Sequence, residues 1–110
     1  MARLMLDLIA DKKGENIVLM DLRDISLIAD YFIIGSAGSE RQLNAITDYI
    51  RDEVKQRHQL YPWRIEGRGE HGWVLMDYGD VVIHLFAPEV RSYYDLEGLW
   101  ADANVLVHVQ

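Results

Sequence analysis

The chain has 110 residues, half of them apolar, which is enough for one hydrophobic core without staples and leaves no room for a second full domain. It contains no cysteine, which excludes disulfide frameworks and thiolate metal sites and suits a reducing compartment. Eighteen Asp and Glu against eleven Lys and Arg give a net charge of −7, a field that repels phosphate backbones and matches a basic protein partner.

The opening stretch, Met1 to Ala10, is apolar-rich but too short to span a bilayer, carries Arg3 and Asp7, and has no small-residue cleavage pattern. No later stretch approaches the roughly 20 apolar residues a membrane helix needs, and no arginine-rich leader is present, so the expected location is cytoplasmic. Leu4 to Lys13 places Leu4, Met5, Leu8 and Ile9 at helical spacing, with lysines in the last turn and Gly14 to end it. Asn16 to Leu22 and Tyr31 to Ser36 are short apolar runs of the kind that form buried strands. Between them, Arg23 to Asp30 has room for a single helical turn, with Ile25, Leu27 and Ile28 calling for cover.

Gly35-Ser36-Ala37-Gly38 then breaks the run, and Ser39 followed three residues later by Gln42 forms a capping box that starts a long helix. Leu43, Ile46, Ile50 and Val54 make its apolar stripe, while Asp48, Arg51, Asp52 and Lys55 face water. Tyr61-Pro62 closes this crossover. Trp63 to Glu66 predicts a short strand, and Gly67 to Gly72 a mobile glycine-rich loop. Trp73 to Asp77 and Asp80 to Phe86 are β-type runs joined through Tyr78-Gly79, a two-residue hairpin connection. Pro88 opens a helix running through Val90, Tyr93, Tyr94, Leu96, Leu99 and Trp100 with a break near Asp95, and Val105 to Val109 fits an edge strand. The order predicts a single α/β domain over residues 1–110, a mixed α+β sheet flanked by helices.

Few catalytic constellations survive inspection. Gly35-Ser36, between a strand and a helix, is where a nucleotidyltransferase holds a nucleotide triphosphate, but that chemistry needs a following Asp-x-Asp pair to hold two metal ions, and none follows. Gly67 to Gly72 has no Gly-Lys-Ser or Gly-Lys-Thr ending of a P-loop, and His58, His71, His84 and His108 show no metal-ligand spacing. No Gly-x-Ser-x-Gly elbow occurs. Neither an enzyme nor a cofactor is expected. Arg41, Arg51, Lys55 and Arg57 are interleaved with Glu40, Asp48, Asp52 and Glu53, a mixed solvated face that gives no basis for direct nucleic-acid readout.

The hairpin remains. Pairing Asp77 with Asp80 sets Leu75 against Val82 and Trp73 against His84 on one face, leaving Val74, Met76, Val81, Ile83 and Leu85 to the core helices. The mixed face admits two readings: a protein-binding patch with an aromatic anchor and carboxylates at its tip, or a partly buried core tryptophan with His84 as its hydrogen-bonded neighbour.

Asp11-Lys12-Lys13, Asp21-Leu22-Arg23, Ile28-Ala29-Asp30-Tyr31-Phe32, the stretch from Trp73 through Asp77-Tyr78-Gly79-Asp80 to His84, and Tyr94-Asp95-Leu96-Glu97-Gly98-Leu99-Trp100 together resemble the ribosomal silencing factor (RsfS, Iojap-related) family along nearly the whole chain. That resemblance implies a nucleotidyltransferase-like fold lacking the catalytic carboxylates. It implies a binder of the basic large-subunit ribosomal protein numbered fourteen, which blocks subunit association and represses translation under nutrient limitation. An assembly role on the large subunit is one alternative; the other is an active metal-dependent nucleotidyltransferase, for which Asp21 or Asp30 could supply one carboxylate but not the pair. Carried over by motif, Trp73, Asp77, Tyr78, Asp80 and His84 contact the partner or shape the contact, with Ser39 and Arg41 at the helix start as further candidates. The sequence departs from the family at Gly35 to Arg41, where many relatives carry a Thr-Ser-x-Arg type turn. Exposed aromatics such as Tyr61 and Trp63 allow a homodimer in the free state.

Overall fold

The computed structural model describes residues 1–110. Helix α1 spans Ala2–Asp11 and buries Met5, Leu6, Leu8 and Ile9. It starts two residues earlier and stops two residues sooner than the periodicity predicts, so Lys12 caps the helix and Lys13 lies beyond it. The Gly14 N–H then turns back to the Ile9 carbonyl at 3.0 Å, and a side chain at Gly14 would run into Ile9.

Strands β1 (Glu15–Asp21) and β2 (Tyr31–Ser36) pair antiparallel. Helix α2 (Glu40–His58) leads to β3 (Arg64–Arg68), a 3-10 turn at Gly69–His71, and the hairpin of β4 (Trp73–Asp77) and β5 (Val81–Phe86). Short helices α3 (Pro88–Tyr94) and α4 (Leu96–Leu99) follow, separated at Asp95, whose φ of +47° breaks the helical path. Strand β6 (Asn104–Val109) ends the chain. The six strands form one sheet in the order β3-β4-β5-β2-β1-β6. Every neighbour pair is antiparallel except β2 with β5, which run parallel in register Tyr31↔Val81 to Ser36↔Phe86. The architecture is the mixed α+β sheet expected from the element order.

One face of the sheet carries the larger core. Leu43, Ile46, Ile50 and Val54 of α2 are fully buried against Val74, Met76, Val81, Ile83 and Leu85 of the hairpin and the inner face of α1. Each such side chain stabilises the fold by roughly 1.5–3 kcal/mol relative to exposure, so the α2 stripe alone fixes which way the sheet faces. The second face holds a smaller cluster of Val18, Met20, Leu22, Ile34 and Phe86, covered by Val90, Leu96 and Trp100 from α3, α4 and the turn after them.

Three local expectations are corrected. Arg23 to Asp30 holds one turn, in which the Leu22 carbonyl accepts from the N–H groups of Ile25 and Ser26, but it does not gain the expected cover: Leu27 and Ile28 stay exposed. The stretch from Gly67 to Gly72 is not a free loop. Gly67 and Arg68 extend β3, Gly67 at φ +79° where a side chain would strike the Trp73 carbonyl, and the Gly69 N–H donates to Asn44 Oδ1 at 2.9 Å. β3 accordingly begins at Arg64 and ends two residues later than expected.

The third correction concerns the hairpin register. Asp77 faces Val82, Leu75 faces His84 and Trp73 faces Phe86, so Asp77 and Asp80 are not opposed. The turn centres on Gly79-Asp80, closed by the Tyr78 N–H donating to the Val81 carbonyl at 2.9 Å. Gly79 has φ +91°, and a two-residue hairpin turn with glycine first demands that conformation at that position. Sliding the turn by one residue shifts the pairing by two. Side-chain parity survives, and every residue keeps its expected face.

Candidate functional site

Alternation along β4, β5 and β2 directs Trp73, Leu75, Val82, His84, Phe86 and Phe32 to the second face of the sheet. There the rings form one aromatic cluster. Trp73 stacks on Phe86 with centroids 5.2 Å apart and leans on Tyr94 of α3 at 4.6 Å, while His84 meets Phe32 at 4.8 Å and Phe32 meets Trp100 edge-on.

Trp73 Nε1 donates to His84 Nδ1 at 3.3 Å. His84 is only 4% exposed, and burial among apolar rings pushes its imidazole down to about pKa 4, so the ring is neutral at physiological pH. Accepting at Nδ1 places the remaining proton on Nε2, which is buried without a partner. His84 is thus a structural neighbour of Trp73 and offers no surface atom to a ligand. Trp73 is half-buried in the cluster, and it lines a cleft of about 500 Å³ with Leu75, Val90, Tyr93 and Tyr94, with Glu66 and Glu89 also on its wall.

At the other end of β4, Asp77 works locally. Its Oδ1 accepts from the Gly79 N–H at 2.8 Å and its Oδ2 pairs with Arg64 at 3.3 Å. Tyr78 turns to the opposite side of the sheet and packs against the larger core, where its hydroxyl has no hydrogen-bond partner and burial pushes its pKa up to about 12. Asp80 is exposed, and its backbone carbonyl accepts from the N–H groups of Asp30 and Tyr31 at 2.8 and 3.0 Å. The turn is thereby tied to the β1–β2 loop.

Ser39 and Arg41 lie elsewhere. Ser39 Oγ accepts from the Gln42 N–H at 3.1 Å, as a capping residue should, but the Gln42 side chain reaches back to the Gly38 N–H rather than to Ser39. Its amide nitrogen also donates to the Lys12 and Lys13 carbonyls, fastening the start of α2 to the end of α1. Arg41 is exposed on the first turn of α2. Both residues follow the Ser36 end of β2, roughly 17 Å of strand away from the Asp80 turn. The structure does not gather them with Asp77 and Asp80.

Arg91 was not anticipated. Only 11% of its side chain is exposed; it holds Glu97 through two bonds of 2.9 and 3.0 Å and donates to the Asn16 carbonyl and Ser36 Oγ at 2.7 and 2.8 Å. It therefore fixes α3 and α4, and with them Tyr94, over the aromatic cluster. The signal in the sequence is faint: Arg91 is the sole basic residue between Pro88 and Leu99. The same contact engages the hydroxyl of Ser36, the residue considered above for a nucleotide site.

A family profile described as "Ribosomal silencing factor during starvation" matches residues 1–110. The chain belongs to that family. It is 45% identical over 93 residues to the ribosomal silencing factor RsfS of Bacillus subtilis, covering 84% of this chain and 78% of the relative. A crystal structure of a Chromobacterium violaceum protein superposes with a TM-score of 0.85 at 32% identity, covering 90% of this chain and 82% of that one. A more distant relative from Mus musculus, 34% identical over 100 residues, is named mitochondrial assembly of ribosomal large subunit protein 1; the match takes in 88% of this chain and 43% of that protein. Within this family member the Trp73-to-His84 stretch is the β4–β5 hairpin, with Trp73 and His84 joined across it.

Proposed function

We propose that this chain binds the large ribosomal subunit through its basic protein numbered fourteen, at the face that meets the small subunit, and so prevents the subunits from joining when nutrients are short. The observation that carries the reading is the family match over all 110 residues. Two properties of the chain support it. The net charge of −7 suits a basic protein surface and disfavours competition from exposed RNA. The half-buried Trp73 edge, set in a cleft with Tyr93 and Tyr94, has the make-up of an interface anchor.

The carried-over residues divide into two roles. Trp73, with the exposed Asp80 and the exposed Arg41 and Ser39, is assigned to direct contact. His84, Tyr78 and Asp77 shape the contact from beneath, by seating Trp73, anchoring the hairpin in the core and holding the turn. A role in assembling the large subunit is the second reading, favoured by the name of the mouse relative.

The test mixes purified protein with separated subunits on a sucrose gradient. Co-sedimentation with the large subunit and a lower yield of joined ribosomes are expected, and Trp73→Ala, checked for folding by its thermal melt, should weaken binding about tenfold or more. Protein left at the top of the gradient sinks the reading. Normal binding by Trp73→Ala removes the cleft from the contact. Recovery on immature particles alone would favour assembly.

A further inference from the structure

The end of the sheet farthest from Trp73 exposes more apolar surface than a solvated loop requires. Between β1 and β2, Leu27 is fully exposed, Ile28 is 84% exposed and Ile25 is 42% exposed. The backbone that carries them is tied by hydrogen bonds. The Leu22 N–H donates to the Asp30 carbonyl at 2.8 Å, the Ile28 N–H to Ser26 Oγ at 3.1 Å, and the Asp30 N–H to the Asp80 carbonyl at 2.8 Å, while Ala29 is buried beneath. Across the hairpin turn lies Trp63, 79% exposed; its indole rests on Gly79, and its backbone N–H donates to the Asp77 carbonyl.

The charges at this end are mostly negative, and its cations are taken up: Arg64, next to Trp63, pairs with Asp77 at 3.3 Å and with Glu66 at 3.0 Å. Arg23 is the sole cation of the loop, and Asp21 takes it up in two bonds, of 3.0 and 2.7 Å, that hold the Asp21 carboxyl below the usual carboxylate range. Asp24, Asp30 and Asp80 are exposed and make no ion pair.

We infer that this end, Leu27 and Ile28 on one side of Asp80 and Trp63 on the other, is a preformed docking surface for a basic protein that presents an apolar pocket ringed by lysine or arginine. Backbone hydrogen bonds that tie the loop in the free chain lower the ordering cost at contact, leaving the Leu27 and Ile28 side chains to be fixed on binding. The acidic ring sets orientation and turns away phosphate backbones. This docking end depends on the ribosome-binding reading and extends that contact to a second patch, on a basic protein of the large subunit.

Because Leu27 and Ile28 are exposed, the double variant Leu27→Asp/Ile28→Asp should fold with an unchanged thermal melt. With purified large subunits on the gradient, it should bind at least about tenfold more weakly than the unmodified chain, and Trp63→Ala several-fold more weakly. If the unmodified chain binds and the double variant binds equally well, the docking end is refuted while ribosome binding stands. If the unmodified chain itself fails to bind, both fall. Light scattering without ribosomes covers the remaining occupant. Self-association abolished by the double variant, with ribosome binding intact, would assign the patch to a second copy of this chain and overturn the inference.

Discussion

His84 has a neutral imidazole, one nitrogen engaged by Trp73 and the other buried without a partner. An unfolded chain takes up a proton at this residue below pH 6.5, whereas the folded one refuses it until about pH 4. Stability from this group is therefore complete above 6.5 and is lost as pH falls through the window down to 4, because the unfolded state binds more protons there. The expected loss between pH 7 and pH 5 is about 2 kcal/mol, read from urea titrations at the two values. His84→Phe should flatten that slope while keeping the ring cluster. An equally steep slope in the variant would place the sensitivity in other groups. The pairing of Trp73 with His84 was legible in the sequence even though the register was not, because a two-residue slip keeps both side chains on the same face and within reach.

Helices α3 and α4 are seven and four residues long, too short to be stable alone, and bury no residue fully. Arg91 is what seats them, joining Glu97 to a carbonyl at the start of β1 and to the hydroxyl that ends β2. Arg91→Lys keeps the charge but cannot reproduce the forked pairing, and it leaves Ser36 and Asn16 short of donors. The expected cost is roughly 2–3 kcal/mol, with faster amide exchange over residues 88–99 than over β4 and β5. Uniform exchange would show that the segment is held by its apolar contacts. Nothing local in the sequence announces this clamp, since its partners stand 6, 55 and 75 positions away. By contrast the apolar face and the Ser39 cap of α2 were readable, because they are properties of neighbours in sequence, whereas the tie of Gln42 to the end of α1 was not. The loop from Arg23 to Asp30 departs from expectation for a different reason: apolar composition does not by itself require burial, since exposed apolar residues are common and only their grouping is informative.

The excess of negative charge acts at longer range than any single contact. Association with the large subunit should slow about tenfold or more between low and high salt, as the screening length shrinks from roughly 14 Å to a few ångströms, with a smaller change in dissociation. A sodium chloride series on immobilised subunits measures both rates, and a flat association rate would mean that the acidic surface does not steer encounter. The sheet order has a further consequence for how the chain acquires its shape. β2 lies between β1, which precedes it by one loop, and β5, whose Val81 comes fifty positions after its partner Tyr31. The first hairpin can close early, but the parallel contact at the centre must wait for α2, β3 and β4 to be laid down. The β2–β5 contact and, at still longer separation, the β1–β6 contact that joins Asp21 to Asn104 are costly loop closures, so folding is expected to be slower than for a chain of local hairpins; until β2 meets β5 the apolar stripe of α2 has only half a sheet to cover.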